Sequence, residues 1–314
     1  MYKFRIYPSK RQKEMLDNYL HTCRFLYNQQ LENKIIYHMN KGINLSYQNL
    51  NSMLLDLKIV YPELKQIHSQ VLQNVNNRLI KAFDKFIKEH KGFPRFKSKN
   101  RYNSLTYPQL GFKLSNNHLK LSKIGSIFIK LHRLPKGKIK TLTIKRTQTQ
   151  KWFSIFSYEI KYTKVTHKSK KQVGIDLGIE NFATLSSGIT IPNQRYLIKS
   201  EQRLKLLQRK LSRKVKNSKN RIKSRFKLAK IHEKITNQRN DFHHKTSRYI
   251  ANNYGIVVIE NLNLKGMVKN PYLSKHINDV AWSNFTNMLC YKAEETGCRV
   301  VKINPRNTSK KCSN

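Results

Sequence analysis

Two carboxylates stand where a carboxylate is costly. Asp176 ends the apolar run Val173-Gly174-Ile175, and Glu260 follows Ile256-Val257-Val258-Ile259. The first sits inside an otherwise apolar strand, where burying its charge costs several kcal/mol unless a cation meets it. The second stands at a strand terminus, where a ligand is within reach. Two isolated acids on sheet strands suit a Mg²⁺ site, because hard divalent ions take carboxylate oxygens and leave other positions to water and phosphate. In a two-metal site such ions activate water and stabilise the leaving oxygen of a phosphodiester. Each acid taken singly reads equally well as a salt bridge to a nearby lysine. His243-His244 is a poorer candidate, since adjacent helical positions point in different directions; one is expected to pack and the other to face solvent or phosphate. Trp152 and Trp282 are expected in the core. Tyr102 and Tyr107, in a basic loop, are candidate platforms for stacking on nucleobases. The cysteines, at 23, 290, 298 and 312, are too scattered for a disulfide framework and are expected reduced, with Cys290 a small core residue.

Charge narrows the partners. The 314 residues carry 63 Lys and Arg against 17 Asp and Glu, a formal net charge of +46. A globular chain tolerates that self-repulsion best when a polyanion neutralises it, and nucleic acid is the obvious polyanion. Disorder is disfavoured, since 38% hydrophobic and 10% aromatic residues suffice to build a core. From His90 to Tyr158 there is no carboxylate among sixteen Lys or Arg, and from Arg203 to Arg239 fifteen cations face one acid, Glu233. A solvated helix pair explains any single lysine there; the unbalanced run is better read as a phosphate-facing hairpin. Arg95, Lys97, Lys99, Arg101, Lys138, Lys140, Arg209, Arg213, Arg221 and Arg225 are the candidate nucleic-acid contacts. No segment reaches membrane-span length and the start has no signal-peptide run, so a cytoplasmic protein without a membrane partner is expected.

The elements that must position these residues fall into three blocks. Residues 2–7 alternate apolar and basic positions as a half-buried strand does, and Pro8-Ser9 breaks the pattern. Residues 9–90 carry helical periods through Met15, Tyr19, Cys23 and Leu26, then Val71, Val75 and Leu79. Gly92-Phe93-Pro94 ends that block, and strands follow at 127–129, 142–144 and 152–155, with turns at 136–138 and 148–150. A modest β-barrel from 1–8 plus 91–165 is expected, the helical block being an insertion in it. A basic linker over 161–171 leads to an α/β domain over 171–314, with strands at 173–177, 182–185, 256–259 and 299–303. Two long helices, hinged at 216–220 within a hairpin over 201–250, separate the second of these strands from the third, and a single helix is expected over 277–296, stopped by Gly297.

The strings VGIDLGIENFATLS at 173–186 and IVVIENLNLKGM at 256–267 resemble the first and second RuvC motifs of the TnpB/OrfB transposon family. The likeness extends through SQVLQNVNNRLIKAFDKF at 69–86, KGFPRFKSKNRYNSLTY at 91–107 and LHRLPKGKIKTLTIKRT at 131–147, and several long motifs in one order are specific. The resemblance implies a multidomain α+β protein: a wedge-type β-barrel with an inserted helical recognition lobe, then an RNase H-like (RuvC) nuclease domain. It further implies a guide RNA that pairs with one strand of a double-stranded DNA target, and Mg²⁺-dependent cleavage with Asp176 and Glu260 as first and second metal ligands.

The family pattern continues past NPR-x-TS with two cysteine pairs for Zn²⁺ and an Asp-bearing helix, whereas this sequence reads Asn304-Pro305-Arg306-Asn307-Thr308-Ser309-Lys310-Lys311-Cys312-Ser313-Asn314. Cys312 alone, a remnant zinc ligand, cannot make a tetrahedral site, so Zn²⁺ is not expected on this chain. The third acid is also missing from it, which leaves the RuvC domain and its two-metal site incomplete and the chain expected inactive in cleavage. Three readings stand at this point: a nuclease recorded without its end, a nuclease-dead RNA-guided repressor, and a decayed transposon copy.

Overall fold

The opening alternation of apolar and basic residues forms β1 (Tyr2–Tyr7), which buries Phe4 and Ile6 completely and lies inside a sheet. The computed structural model describes residues 1–135, 137–160 and 165–305, and the chain divides into two compact units, 1–161 and 162–314.

In the first unit three helices follow β1: α1 (Lys10–Lys41), α2 (Tyr47–Val60) and α3 (Ser69–Glu89). α1 begins at a capping box in which the Ser9 hydroxyl accepts from the Gln12 N–H and the Gln12 amide oxygen accepts from the Ser9 N–H. It ends at Gly42, whose φ of 66° is the left-handed stop that glycine supplies. Leu16, Leu20, Cys23, Tyr27 and Leu31, stepping by three or four, form its buried stripe. Six strands complete the unit: β2 (Ser104–Tyr107), β3 (Phe112–Ser115), β4 (His118–Leu121), β5 (Gly125–Lys130), β6 (Lys138–Arg146) and β7 (Trp152–Glu159). The sheet is antiparallel in the order β2-β6-β7-β1-β5-β4-β3. It curls strongly, because the Phe112 ring on the last strand lies 6.4 Å from Phe156 on β7, four strands away in that order. One core joins the inner face of this sheet to α1, α2 and α3.

Tyr102 and Tyr107 are not stacking platforms. They are 7% and 0% exposed. Tyr107 faces inward from β2 in the alternation that also buries Leu105, and Arg78 lies over the Tyr102 ring. Trp152 is in the core as expected. Strands β2, β3 and β4 went unforeseen because each is four residues long and carries one or two apolar side chains or polar residues on its outer face.

The second unit carries β8 (Gln172–Asp176), β9 (Asn181–Leu185), β10 (Thr190–Pro192), α4 (Tyr196–Ser212), α5 (Lys219–Asn253), β11 (Ile256–Glu260), α6 (Leu264–Met267), α7 (Pro271–Val280), α8 (Trp282–Thr296) and β12 (Arg299–Ile303). Its sheet order is β10-β9-β8-β11-β12, with β8, β11 and β12 mutually parallel, β9 antiparallel to β8, and β10 antiparallel to β9. Ile250 and Ala251 from α5 and Phe285, Leu289 and Ala293 from α8 share a core with Val173, Ile175, Val257 and Ile259. The helix expected over 277–296 is two helices. Ala281 takes φ 52° between them, a left-handed conformation that costs a non-glycine residue about 1–2 kcal/mol. The break is held by Asp279, 5% exposed, whose carboxylate accepts from the Leu197 N–H at the start of α4 and from Arg239 Nη2 on α5. Past the break, Trp282 turns its ring into the core.

Candidate active site

β8 and β11 run parallel with Ile175 opposite Ile259. Asp176 and Glu260 come one residue later, each the last residue of its strand, so the two acids stand side by side at the same end of neighbouring strands. Adjacent strands are about 4.8 Å apart. Val173 and Ile175, like Val257 and Ile259, point into the core; Asp176, the next residue along β8, is exposed, and Glu260 closes β11 at the border of that core. On its other side Asp176 pairs with Thr184 of β9, and Glu260 pairs with Ile303 of β12.

The expectation that Asp176 is buried is corrected. It is exposed, because the strand ends on it and the apolar run behind it supplies the buried positions. Glu260 is half-buried. An exposed carboxylate escapes the desolvation cost of a buried one, and a pair at one sheet end offers hard oxygen donors to a divalent cation. Among the described residues no group of three or more His, Cys, Asp or Glu side chains is placed to hold a metal.

Glu260 also lines an open cleft of about 170 Å³, together with Asn261, Lys302 and three polar residues from the first turns of α8, Ser283, Thr286 and Asn287. None of these was foreseen from the sequence. Asn261 adjoins Glu260 and was open to such a reading, but the α8 residues reach the cleft only through the break at Ala281.

His243 is 1% exposed and packed against Phe182 and Phe285, its Nε2 donating to the Val280 carbonyl; burial pushes its pKa down to about 4. His244 faces solvent. The pair therefore divides between packing and surface as expected. Trp282 is in the core, Cys298 is buried and Cys290 is half-buried, less enclosed than the core position expected of it. Cys312, and with it the segment from Arg306 onward, lies outside the described residues, as does Lys136 of the expected turn and part of the expected linker.

The candidate phosphate contacts separate by environment. Arg95, Lys99, Arg101, Lys138, Arg209 and Arg213 are exposed. Lys140 is exposed and paired with Glu159 at 2.7 Å. Lys97 is half-buried with its Nζ 5.2 Å from the centre of the Tyr27 ring, and Arg225 is half-buried on α5. Arg221 serves the fold, because its Nη1 donates to the Leu211 and Lys214 carbonyls and closes the turn from α4 into α5.

A profile of the OrfB transposase family, described as "Probable transposase", matches residues 155–271; the family's helix-turn-helix domain matches residues 1–42, and a "Cas12f1-like, TNB domain" matches 282–314. The "Putative RNA-guided DNA endonuclease InsQ" of Escherichia coli K12 is 30% identical over 99% of this chain and 82% of its own length. A "Putative RNA-guided DNA endonuclease" of Streptomyces pristinaespiralis is 33% identical over 96% of this chain and 76% of its own. The chain belongs to the TnpB/OrfB family. A Cas12f1 chain from a Cas12f1–sgRNA–target DNA complex shares the fold, with a TM-score of 0.60 at 16% identity over 98% of this TnpB/OrfB chain and 76% of that one. No helix among the described residues is long and apolar enough to cross a membrane.

Proposed function

We propose that this TnpB/OrfB chain is an RNA-guided DNA endonuclease of the RuvC type, with Asp176 and Glu260 as two of its metal-ligating acids; the inactivity expected from the sequence is not carried into the proposal, because the two acids side by side still offer carboxylate oxygens to a divalent ion. The observation that carries the reading is the pairing of these acids at one end of neighbouring parallel strands. The names of its relatives, RNA-guided DNA endonucleases, support the same activity.

In this reading residues 1–8 and 91–165 form a wedge-type barrel, 9–90 a recognition lobe within it, and 171–314 an RNase H-like nuclease domain whose basic hairpin, 201–250, faces phosphate. Guide RNA and the DNA it pairs with are held through their backbones, which suits two acid-poor basic surfaces. Asp176 and Glu260 would hold Mg²⁺, which when bound supplies an activated water and stabilises the leaving oxygen of the phosphodiester. Asn261 and Lys302 in the cleft beside Glu260 orient the scissile strand, the lysine ammonium meeting a phosphate oxygen.

The test is guided cleavage in Mg²⁺ by the chain loaded with its guide RNA, beside Asp176→Asn and Glu260→Gln. Each substitution is expected to lower the cleavage rate by at least the roughly 100-fold that loss of a ligand's supporting partner can cost, while leaving guide RNA bound. Cleavage by both variants at the unsubstituted rate removes the acids from the mechanism. Guided binding without cleavage by the unsubstituted chain returns the nuclease-dead reading.

A further inference from the structure

In the first unit a pocket of about 240 Å³ opens between α1, α3 and the loop before β2. Arg78, Lys97 and Arg101 line it, and no carboxylate does. Tyr27 and Tyr102 line it as well, with their rings 6.5 Å apart.

Two features make it a built pocket. The loop residue Lys97 is clamped from α1 at both backbone polar groups: its N–H donates to Asn28 Oδ1 at 2.7 Å, and its carbonyl accepts from Asn28 Nδ2 at 3.1 Å and Arg24 Nη1 at 3.2 Å. That clamp fixes the lysine whose Nζ lies over the Tyr27 ring. The second feature is a donor in waiting. Tyr27 is 3% exposed and its hydroxyl is buried without a hydrogen-bond partner, as is the Nε of Arg24. An unpaired buried polar group costs about 1–3 kcal/mol, and a fold that retains one on a residue lining an acid-free basic pocket has a use for it. An adjoining cavity shares the Tyr102 wall and is lined by Arg24 and Lys99; its one acid, Asp17, is paired with Arg146.

Resting on the reading of the chain as a nucleic-acid carrier, we infer that this pocket seats one backbone phosphate of that nucleic acid. Lys97 and Arg101 neutralise the phosphate, and the Tyr27 hydroxyl donates to a non-bridging oxygen. The phosphate belongs to a guide RNA or to a DNA strand; the chemistry is common to both.

The experiment measures binding of two single-stranded oligonucleotides of one sequence, RNA and DNA, to the full chain and to Tyr27→Phe and Arg101→Gln across a salt series. Tyr27→Phe removes a hydroxyl that pairs with nothing in the free protein, so its thermal midpoint is expected to be unlowered while affinity for at least one oligonucleotide falls about tenfold. Arg101→Gln is expected to flatten the slope of log affinity against log salt by about 0.7. Weakening confined to RNA assigns the phosphate to the guide, weakening confined to DNA assigns it to the target, and weakening of both keeps the shared chemistry. If Tyr27→Phe binds both oligonucleotides as tightly as the unsubstituted chain, the pocket is no phosphate seat, whatever Arg101→Gln does. An unsubstituted chain that binds neither oligonucleotide instead overturns the proposed function itself.

Discussion

Lys292 is buried at 3% exposure on α8, with its Nζ donating to the His244 carbonyl at 2.6 Å and to the Ser247 hydroxyl at 2.9 Å. Burial pushes its pKa down from 10.5 to about 8. The unfolded chain then holds this proton more tightly than the folded one, so stability rises as pH climbs from about 8 to 10.5, and the cost of the buried charge is fully present below about 8. Lys292→Met removes the group without orphaning Ser247, whose hydroxyl still donates to the His243 carbonyl. Thermal or urea unfolding across that pH range is expected to show the unsubstituted chain gaining on the variant by at most about 3 kcal/mol. A constant difference between the two proteins across the window contradicts the assignment. At this scale the paired acids were legible because each interrupts or ends a short apolar run. The exposure of Asp176 was not, since it depends on which residue is the last to pair. Tyr27, Arg24 and Arg78 went unnoticed for a different reason: no local spacing links positions on α1 and α3 to the loop before β2.

The elements were legible where one period ran long enough. The alternation in β1, the stripe along α1 and the apolar runs of β8 and β11 each match an observed element. The break between α7 and α8 was hidden, because Ala281 is a strong helix former by composition and is forced to φ 52° by tertiary bonds to Asp279 on one side and the burial of Trp282 on the other. Ala281→Gly tests that account, since glycine adopts positive φ without steric cost. The substitution is expected to leave the fold unchanged and to stabilise the second unit by up to about 1 kcal/mol, after the added entropy of the unfolded glycine is subtracted from the relieved strain. A loss of about 1 kcal/mol or more in denaturant unfolding means that the alanine methyl packs more than it strains. The result bears on the cleft, because the break sets where Ser283, Thr286 and Asn287 stand beside Glu260.

For the whole molecule the governing quantity is charge. A net +46 is spread over both units: sixteen cations without an acid from His90 to Tyr158, and fifteen against one from Arg203 to Arg239. Few of these are committed inside the fold; Arg221 closes a turn, Arg239 pairs with buried Asp279, and Arg146 pairs with Asp17. The exposed remainder repel one another, and a polyanion that neutralises them releases its own counterions as it binds. Purified protein is therefore expected to carry RNA, and binding of single-stranded RNA is expected to weaken steeply with salt. Contact with about six phosphates gives a slope near −4 in log affinity against log salt, a loss of several hundredfold between about 50 and 200 mM. Filter binding or fluorescence anisotropy over that range reads the slope directly. A slope shallower than about −2 would mean that most of the exposed cations never meet phosphate, and the excess charge would then need another explanation than nucleic acid.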